Sequence, residues 1–203
     1  MNVKICGITS IEMANVVEEN GANFIGFVFA PSKRQVSTEK AAEIANTLGK
    51  TINKVGVFVN ETKENICHIA EQVGLDYIQL HGDETAAFAT SLPYPVIKAF
   101  SSEKVTNELI NHYPADYILI DSPPQEFRGG SGVTFDWSTL NQFDIDRSKL
   151  ILAGGLTIDN VAQARAQVQP YAVDVSSGVE TNGIKDAKKI EQFITLAKKD
   201  GSQ

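Results

Sequence analysis

The chain alternates eight times between a short apolar run and a stretch with helical spacing. The runs are rich in Val, Ile and Phe, and the stretches between them repeat apolar residues about every 3.6 positions, as in "KENICHIAEQVG" at 63–74. Eight strand–helix units close a (β/α)8 barrel, whereas an open doubly wound sheet usually has fewer strands. We therefore expect an α/β fold, a single-domain (β/α)8 TIM barrel over residues 1–203. The predicted strands are "VKIC" (3–6), "FIGFVF" (24–29), "KVGVFV" (54–59), "YIQLH" (77–81), "VIKAF" (96–100), "YILID" (117–121), "LILAG" (150–154) and "AVDVS" (172–176).

One connection interrupts this alternation. Residues 122–134, "SPPQEFRGGSGVT", form a 13-residue segment composed largely of Pro, Gly and Ser. A linker between domains has a similar composition, but two complete strand–helix units follow the segment and a barrel requires both of them. We therefore expect a mobile lid over the site. Arg128 lies in this lid, where contact with a ligand and contact with solvent are equally open.

Composition excludes several classes of protein. A net charge of -7 argues against a broad nucleic-acid or membrane surface, and the longest apolar stretch, 24–30, is far too short to span a bilayer. Cys6 and Cys67 fit neither a disulfide framework nor a metal-ligand spacing. We expect a cytoplasmic protein, a monomer or a homodimer, that binds a small molecule. An anionic ligand would require a local binding site on this acidic chain.

Strand side chains in a barrel alternate between the interior and the helix layer, and chemistry collects at the carboxyl ends of the strands. In several predicted strands a polar residue at the carboxyl end lies on the inward face. These inward residues are Lys4 with Cys6, Gln79 with His81, Asp121, and Asp174 with Ser176. In the third strand, Val55, Val57 and Val59 are expected to contact the helices, which leaves Gly56, Phe58 and Asn60 pointing inward.

The last two predicted strands end in small residues, within "LILAGGLT" and "VDVSSGVE". The loops after strands seven and eight are the usual phosphate-binding place in a (β/α)8 barrel. Glycine has no side chain to block a close approach, so backbone N–H groups can converge there on phosphate oxygens, with serine hydroxyls as further donors. The candidate phosphate ligands are Gly154, Gly155, Ser176, Ser177 and Gly178. Neither a Walker motif nor GxGxxG follows the first strand.

Seven segments, in order along the chain, resemble the phosphoribosylanthranilate isomerase family of tryptophan biosynthesis. The resemblance implies an Amadori rearrangement, in which a phosphoribosylamine ring opens and the C2′ proton is removed, with no metal and no cofactor. One local departure is Ser131, where the family commonly has threonine. The segments are "KICGIT" (4–9), "GFVFAPSKR" (26–34), "VGVFVN" (55–60), "QLHGDE" (79–84), "GGSGVTFDW" (129–137), "LAGGL" (152–156) and "VDVSSGVE" (173–180).

The resemblance also implies roles for individual residues. It assigns the general base to Cys6 and the general acid to Asp121, and it places Arg34 against the anthranilate carboxylate. His81 faces the mouth and either bonds the ligand or is satisfied by backbone. Lys4 either lowers the pKa of Cys6 from roughly 8.5 towards working pH or pairs with Asp174 as a structural residue.

Three alternatives remain open at this point. A pentose-phosphate epimerase would require metal-binding His and Asp residues at the strand ends, where His81 is the single histidine available. An isomerase that also serves histidine biosynthesis would require a second phosphate site, but "VNETKE" and "HGDETA" contain no Gly-Gly or Ser-Gly pair. A catalytically silent phosphate-binding protein would have no use for both Cys6 and Asp121.

Overall fold

Eight parallel strands form a closed barrel in chain order, and the last strand pairs with the first. This computed structural model describes residues 1–121 and 137–199. The predicted (β/α)8 barrel is confirmed, whereas the predicted lid at 122–134, with Arg128 and Ser131, lies outside the described residues. The strands are β1 Asn2–Cys6, β2 Phe24–Val28, β3 Asn53–Phe58, β4 Tyr77–Leu80, β5 Val96–Ser101, β6 Tyr117–Asp121, β7 Leu150–Ala153 and β8 Ala172–Val175.

Helices follow most of the strands and pack around the barrel. In the described part of the chain, 3-10 helices at Trp137–Gln142 and Arg147–Lys149 precede β7, and a third at Ser177–Val179 follows β8. No helix among the described residues is both long and apolar enough to cross a membrane. The α-helices are α1 Ile11–Glu19, α2 Thr38–Ala45, α3 Lys63–Val73, α4 Ala86–Ser91, α5 Asn107–His112, α6 Val161–Val168 and α7 Ala187–Lys198. A small hairpin, β9 Glu180–Thr181 and β10 Ile184–Lys185, precedes α7.

The local sequence explains where the helices begin and end. The Thr62 hydroxyl accepts a hydrogen bond from Asn65 N at 3.3 Å at the start of α3, which satisfies a backbone donor that has no partner within the helix. The same helix ends at Gly74, whose φ of 70° is the left-handed conformation that glycine adopts without strain. The sequence of α3 therefore provides a cap at each of its ends.

Apolar side chains pack on both faces of the barrel sheet. The larger cluster lies between the barrel and the helices, and the smaller one fills the barrel interior around Phe24 and Leu119. Towards the amino ends of the strands, Phe24 packs edge-on against Tyr77, Tyr117 and Tyr171, and the Tyr117 and Tyr171 rings stack at 4.7 Å. Aromatic side chains occupy that end of the interior, so the opposite, carboxyl end is the one that carries the candidate site.

The predicted orientation of β3 is wrong. Val55 belongs to the interior cluster, whereas Phe58 belongs to the helix-facing core. Gly56 also faces the helices, since a Cβ built there would lie 2.5 Å from Leu75 Cδ1. Both faces of this strand are apolar, so alternation by itself could not choose between them. Register with the neighbouring strand chose instead, because Val55 pairs with Gly26, which faces Cys6 in the interior.

Candidate active site

Cys6 ends β1 at the barrel mouth and is 8% exposed. Gly7, at φ 79°, turns the chain directly after the strand, and its N–H donates to Gly26 O at 2.9 Å. Gly26 leaves room for the thiol, since a Cβ at that position would lie 2.9 Å from Cys6 Sγ. Two glycines therefore place and accommodate the thiol.

Two opposing influences act on the Cys6 thiol. Burial raises the pKa of Cys6, and the positive charges of Lys4 and Lys185 oppose that rise without cancelling it. Lys4 is fully buried and donates to Asp174 Oδ1 at 3.1 Å. Burial alone would lower the pKa of Lys4, but Asp174 and Cys6 together hold it above its ordinary value. Lys4 is therefore paired with Asp174, and its charge also opposes the rise of the Cys6 pKa. The net shift of that pKa is upward, so the predicted fall towards working pH is not found.

Asp121, at the end of β6, lies across the mouth from β1 and faces His81. The distance from His81 Nε2 to Asp121 Oδ2 is 3.5 Å, and both side chains are partly exposed. Gln79, which is 1% exposed, places its Nε2 3.2 Å from His81 Nδ1. With Gln79 Nε2 as the donor to Nδ1, a neutral His81 ring carries its hydrogen on Nε2, on the side of Asp121. Gln79 was predicted only as an inward residue, and its contact with His81 was not foreseen.

The loop that carries His81 is held by a buried ion pair that the sequence did not reveal. Lys98 Nζ lies 2.8 Å from Glu84 Oε2 and donates to Gly82 O at 2.6 Å, and both charged side chains are 3% exposed. Glu84 also accepts from Asn60 N at 2.8 Å. Burial opposes ionisation of Glu84, but Lys98 and the backbone donors lower its pKa on balance. Contacts from Lys98 and from the backbone of Asn60 thus hold the loop after β4 in place.

The two predicted phosphate loops meet at the carboxyl ends of β7 and β8. Gly154 and Gly155 have φ values of 85° and 61°, a region that side chains disfavour. Gly178 allows the loops to touch, because a Cβ there would lie 1.9 Å from Leu156 O. Within the described residues, the backbone N–H groups of Gly155, Ser177 and Gly178 donate to no protein acceptor. The geometry suits an oxyanion that accepts from several amides.

The hydroxyl of Ser176, predicted as a donor to phosphate, has a protein acceptor instead. It donates to Cys6 O at 3.2 Å, which ties the end of β8 to the end of β1. Lys185 Nζ donates to Ser176 O at 2.9 Å. The Ser176 proton is therefore directed at the backbone of Cys6, while Ser177 presents its backbone amide in the neighbouring 3-10 helix.

Arg34, in the loop after β2, reaches the same mouth. It forms a bidentate ion pair with Glu180, with Nε to Oε1 at 2.6 Å and Nη2 to Oε2 at 2.8 Å. Lys185 Nζ also lies 2.7 Å from Glu180 Oε1. Glu180 and Lys185 were not predicted as site residues. Glu180 lies within the "VDVSSGVE" segment, but no local pattern links it to Arg34, 146 positions away.

A cavity of about 1070 Å³ opens beside His81 and Asp121 and extends over Lys98 and Tyr113 towards α5. Its described lining includes the predicted acid but none of the phosphate-loop glycines, so the cavity marks only one side of the mouth. Across residues 1–121 and 137–199, no three His, Cys, Asp or Glu side chains are grouped as a metal site requires.

Comparisons with known proteins agree with this arrangement. The model of the family N-(5'-phosphoribosyl)anthranilate (PRA) isomerase matches residues 3–196. The N-(5'-phosphoribosyl)anthranilate isomerase of Oceanobacillus iheyensis is 59% identical over 196 residues, which cover 96% of each chain. Among solved structures, monomers of the dimeric phosphoribosylanthranilate isomerase from Thermotoga maritima superpose with a TM-score of 0.81 at 40% identity, covering 98% of each chain.

A second solved structure carries a ligand. It is a phosphoribosylanthranilate isomerase in complex with reduced 1-(o-carboxyphenylamino)-1-deoxyribulose 5-phosphate, with a TM-score of 0.82 and 40% identity over 98% of each chain. The family match spans nearly the whole chain and agrees with the fold and with the order of the quoted segments. The chain belongs to the N-(5'-phosphoribosyl)anthranilate isomerase family.

Proposed function

We propose that Cys6 and Asp121 are the general base and general acid with which this chain isomerises N-(5'-phosphoribosyl)anthranilate in tryptophan biosynthesis. The observation that carries the proposal is their placement: a buried thiol among cationic groups and a carboxyl group lie on opposite sides of two amide-lined loops. A phosphosugar anchored at those loops would extend between the two groups, which is the positioning that proton transfer requires.

The proposed reaction is an Amadori rearrangement. Asp121 donates a proton to the ribose ring oxygen as the bond from C1′ to that oxygen breaks, and the anilino nitrogen supplies the electron pair. The Cys6 thiolate then removes the C2′ proton, which gives an enolamine. Tautomerisation of the enolamine yields 1-(2-carboxyphenylamino)-1-deoxyribulose 5-phosphate. Each step is a proton transfer, so we propose that no metal and no cofactor takes part.

The remaining predicted residues would bind the substrate. The backbone amides of Gly155, Ser177 and Gly178 would hold the phosphate, and Gly154 gives the turn that exposes them. Arg34 would bind the anthranilate carboxylate through the edge of its guanidinium that Glu180 does not occupy. His81 Nε2 would donate either to the ligand or to Asp121, from which it lies 3.5 Å away.

Fluorescence-monitored turnover of freshly prepared N-(5'-phosphoribosyl)anthranilate tests the two catalytic assignments. We expect Cys6→Ser and Asp121→Asn each to lower kcat by roughly 10² to 10⁴, the usual value of a positioned proton-transfer group. Circular dichroism should show both variants folded. Near wild-type turnover by Cys6→Ser would contradict its role as base, because a hydroxyl supplies almost no anion near neutral pH.

Exhaustive chelation separates this reaction from that of a metal-dependent epimerase. We expect full isomerase activity after dialysis against EDTA, since neither proposed step uses a Lewis acid. Loss of activity that a divalent ion restores would contradict the metal-free mechanism. Catalytic silence of the wild type would favour the phosphate-binding alternative.

We also infer a cytoplasmic location and a monomer or homodimer, with no nucleic-acid or membrane partner. Both cysteines are free thiols, which suits a reducing compartment. The dimeric Thermotoga maritima relative makes a homodimer the first form to test, by sedimentation equilibrium.

A further inference from the structure

Three charged residues form a network at the mouth beside Cys6, and no proton passes through it in the proposed steps, although the charge of Lys185 acts on the pKa of Cys6. Glu180 is its centre: Oε1 accepts from Arg34 Nε at 2.6 Å and from Lys185 Nζ at 2.7 Å, while Oε2 accepts from Arg34 Nη2 at 2.8 Å. The Glu180 and Lys185 side chains are only 6% and 5% exposed. Solvent therefore screens these contacts poorly.

The network fixes the Arg34 guanidinium in one orientation. A guanidinium carries five N–H donors in a planar fork, and Glu180 occupies the edge formed by Nε and Nη2. Among the described residues, the opposite edge, formed by Nη1 and Nη2, has no protein acceptor, and it offers a second bidentate site for a carboxylate. The aliphatic part of the Arg34 side chain packs closely over Gly7, since a Cβ built at Gly7 would lie 2.5 Å from Arg34 Cδ.

The charges of the network add to +1. Arg34 and Lys185 each contribute a positive charge and Glu180 contributes a negative one. Without Lys185, Glu180 would cancel Arg34, and an incoming carboxylate would meet no net attraction. Burial opposes ionisation of Glu180, but Arg34 and Lys185 lower its pKa on balance, so Glu180 remains charged at neutral pH. Lys185 also donates to Ser176 O, which joins the network to the end of β8.

We propose that Glu180 is a positioning residue, which orients Arg34 for the aromatic carboxylate of the substrate while Lys185 neutralises the charge of Glu180. This inference rests on the carboxylate-binding role proposed for Arg34. It makes the β9–β10 hairpin a determinant of specificity, because this hairpin supplies both Glu180 and Lys185.

Glu180→Gln distinguishes positioning of Arg34 from simple electrostatic attraction, because the two predict opposite changes in the affinity for a carboxylate ligand. The substitution removes a negative charge, so attraction alone would make a carboxylate ligand bind more tightly. A glutamine amide offers one acceptor oxygen and cannot hold both Arg34 donors and Lys185. Positioning therefore predicts weaker binding of the carboxylate ligand.

Calorimetric titration with two matched ligands measures this difference. One ligand is reduced 1-(o-carboxyphenylamino)-1-deoxyribulose 5-phosphate, and the other is the same compound with phenyl in place of carboxyphenyl. We expect Glu180→Gln and Arg34→Gln each to weaken binding of the carboxylated ligand roughly tenfold or more, and to leave the phenyl ligand within about twofold. Glu191→Gln, the same chemical change at an exposed position of α7, should alter neither affinity.

Steady-state kinetics gives an independent readout. Glu180→Gln should raise KM for N-(5'-phosphoribosyl)anthranilate while kcat stays within about twofold, since uniform binding is what the variant loses. Equal weakening of both ligands would indicate general disruption of the mouth and would overturn the inference.

The remaining outcomes separate the two levels of the argument. If Arg34→Gln weakens only the carboxylated ligand while Glu180→Gln leaves it unchanged or tightens it, positioning by Glu180 is overturned and the role of Arg34 stands. If Arg34→Gln does not distinguish the two ligands, the proposed carboxylate role of Arg34 fails, and positioning by Glu180 fails with it.

Discussion

At the scale of single residues, the chemistry of Cys6 depends on a balance between burial and charge. Burial raises the pKa of the thiol, and Lys4 and Lys185 counteract only part of that rise. A base with a raised pKa is mostly protonated in the free protein at neutral pH, but its anion is a stronger base once formed. This balance is set by residues from β1, β10 and the barrel interior.

Alkylation by iodoacetamide checks the direction of this shift. In a Cys67→Ala background, the alkylation rate of Cys6 should continue to rise with pH beyond the point, about 8.5, at which an ordinary cysteine is half ionised. Substrate should protect the thiol from alkylation. The single variant Cys6→Ser, which keeps Cys67, provides the control because its alkylation reports Cys67 alone.

An additional Lys185→Met substitution should shift the Cys6 alkylation profile to still higher pH, because it removes a charge that lowers the pKa. A Cys6 profile centred at or below the ordinary cysteine value would contradict the described environment of the thiol.

At the scale of elements, the carboxyl ends of β7 and β8 owe their proximity to glycine. Gly178 lies so close to Leu156 O that no side chain fits between them, and Gly155 adopts a positive φ. Asn160 supports the turn, because it accepts from Thr157 N at 2.8 Å and donates to Gly155 O at 2.9 Å. Two loops from consecutive units thereby present their amides together.

A matched pair of substitutions at Gly155 tests phosphate binding. Asn and Asp have the same shape and tolerate positive φ better than most side chains, so they differ mainly in charge. We expect Gly155→Asp to raise KM relative to Gly155→Asn by roughly tenfold or more, because bringing like charges together costs at least about 1.4 kcal/mol. Inorganic phosphate should inhibit the wild type competitively. Equal KM values for the two variants would place the phosphate elsewhere.

At the scale of the whole molecule, the barrel closes where β8 pairs with β1. Lys4 and Asp174 are partners across this seam, joined by the hydrogen bond of 3.1 Å inside the barrel. Asp174 is 8% exposed, so loss of Lys4 would leave its carboxylate buried without a cation. Breaking a buried ion pair in this way costs more than replacing the whole pair with apolar residues.

Lys4→Met should therefore lower the free energy of unfolding by roughly 3–5 kcal/mol, measured by urea denaturation. The double variant Lys4→Met/Asp174→Leu should recover much of that loss, because neither charge remains buried. A single variant as stable as the wild type would show that the pair contributes nothing to closure.

The pH dependence of this pair follows from the raised pKa of Lys4. A raised pKa in the folded state means that the pair's stabilisation is fully present below the ordinary lysine value, about 10.4, and is lost only as the pH rises through the folded value. Ionisation of Lys4 contributes to the difference in free energy of unfolding between wild type and Lys4→Met. That contribution should therefore be constant from pH 7 to 9.

The architecture and much of the inward-facing set could be predicted from the sequence. Eight apolar runs at regular spacing predicted the barrel, and alternation within β1, β4, β6 and β8 predicted which residues face inward. Alternation failed in β3, where residues on both faces are apolar and Gly56 makes space for Leu75. Such patterns are local, and each depends on the period of one strand or helix.

What only the tertiary structure decided is which distant residues become partners. Local sequence determined the strands, the caps and the glycines at the strand ends, because backbone conformation and periodicity act over a few residues. The pair of Arg34 with Glu180 joins positions 146 residues apart and was not predicted, whereas pairing of Lys4 with Asp174, 170 residues away, was one of two interpretations between which the sequence could not choose. Both pairs depend on ring closure and strand register, which bring β1, β2 and β8 to one mouth, and a charged residue read alone carries no signal of the partner it will meet there.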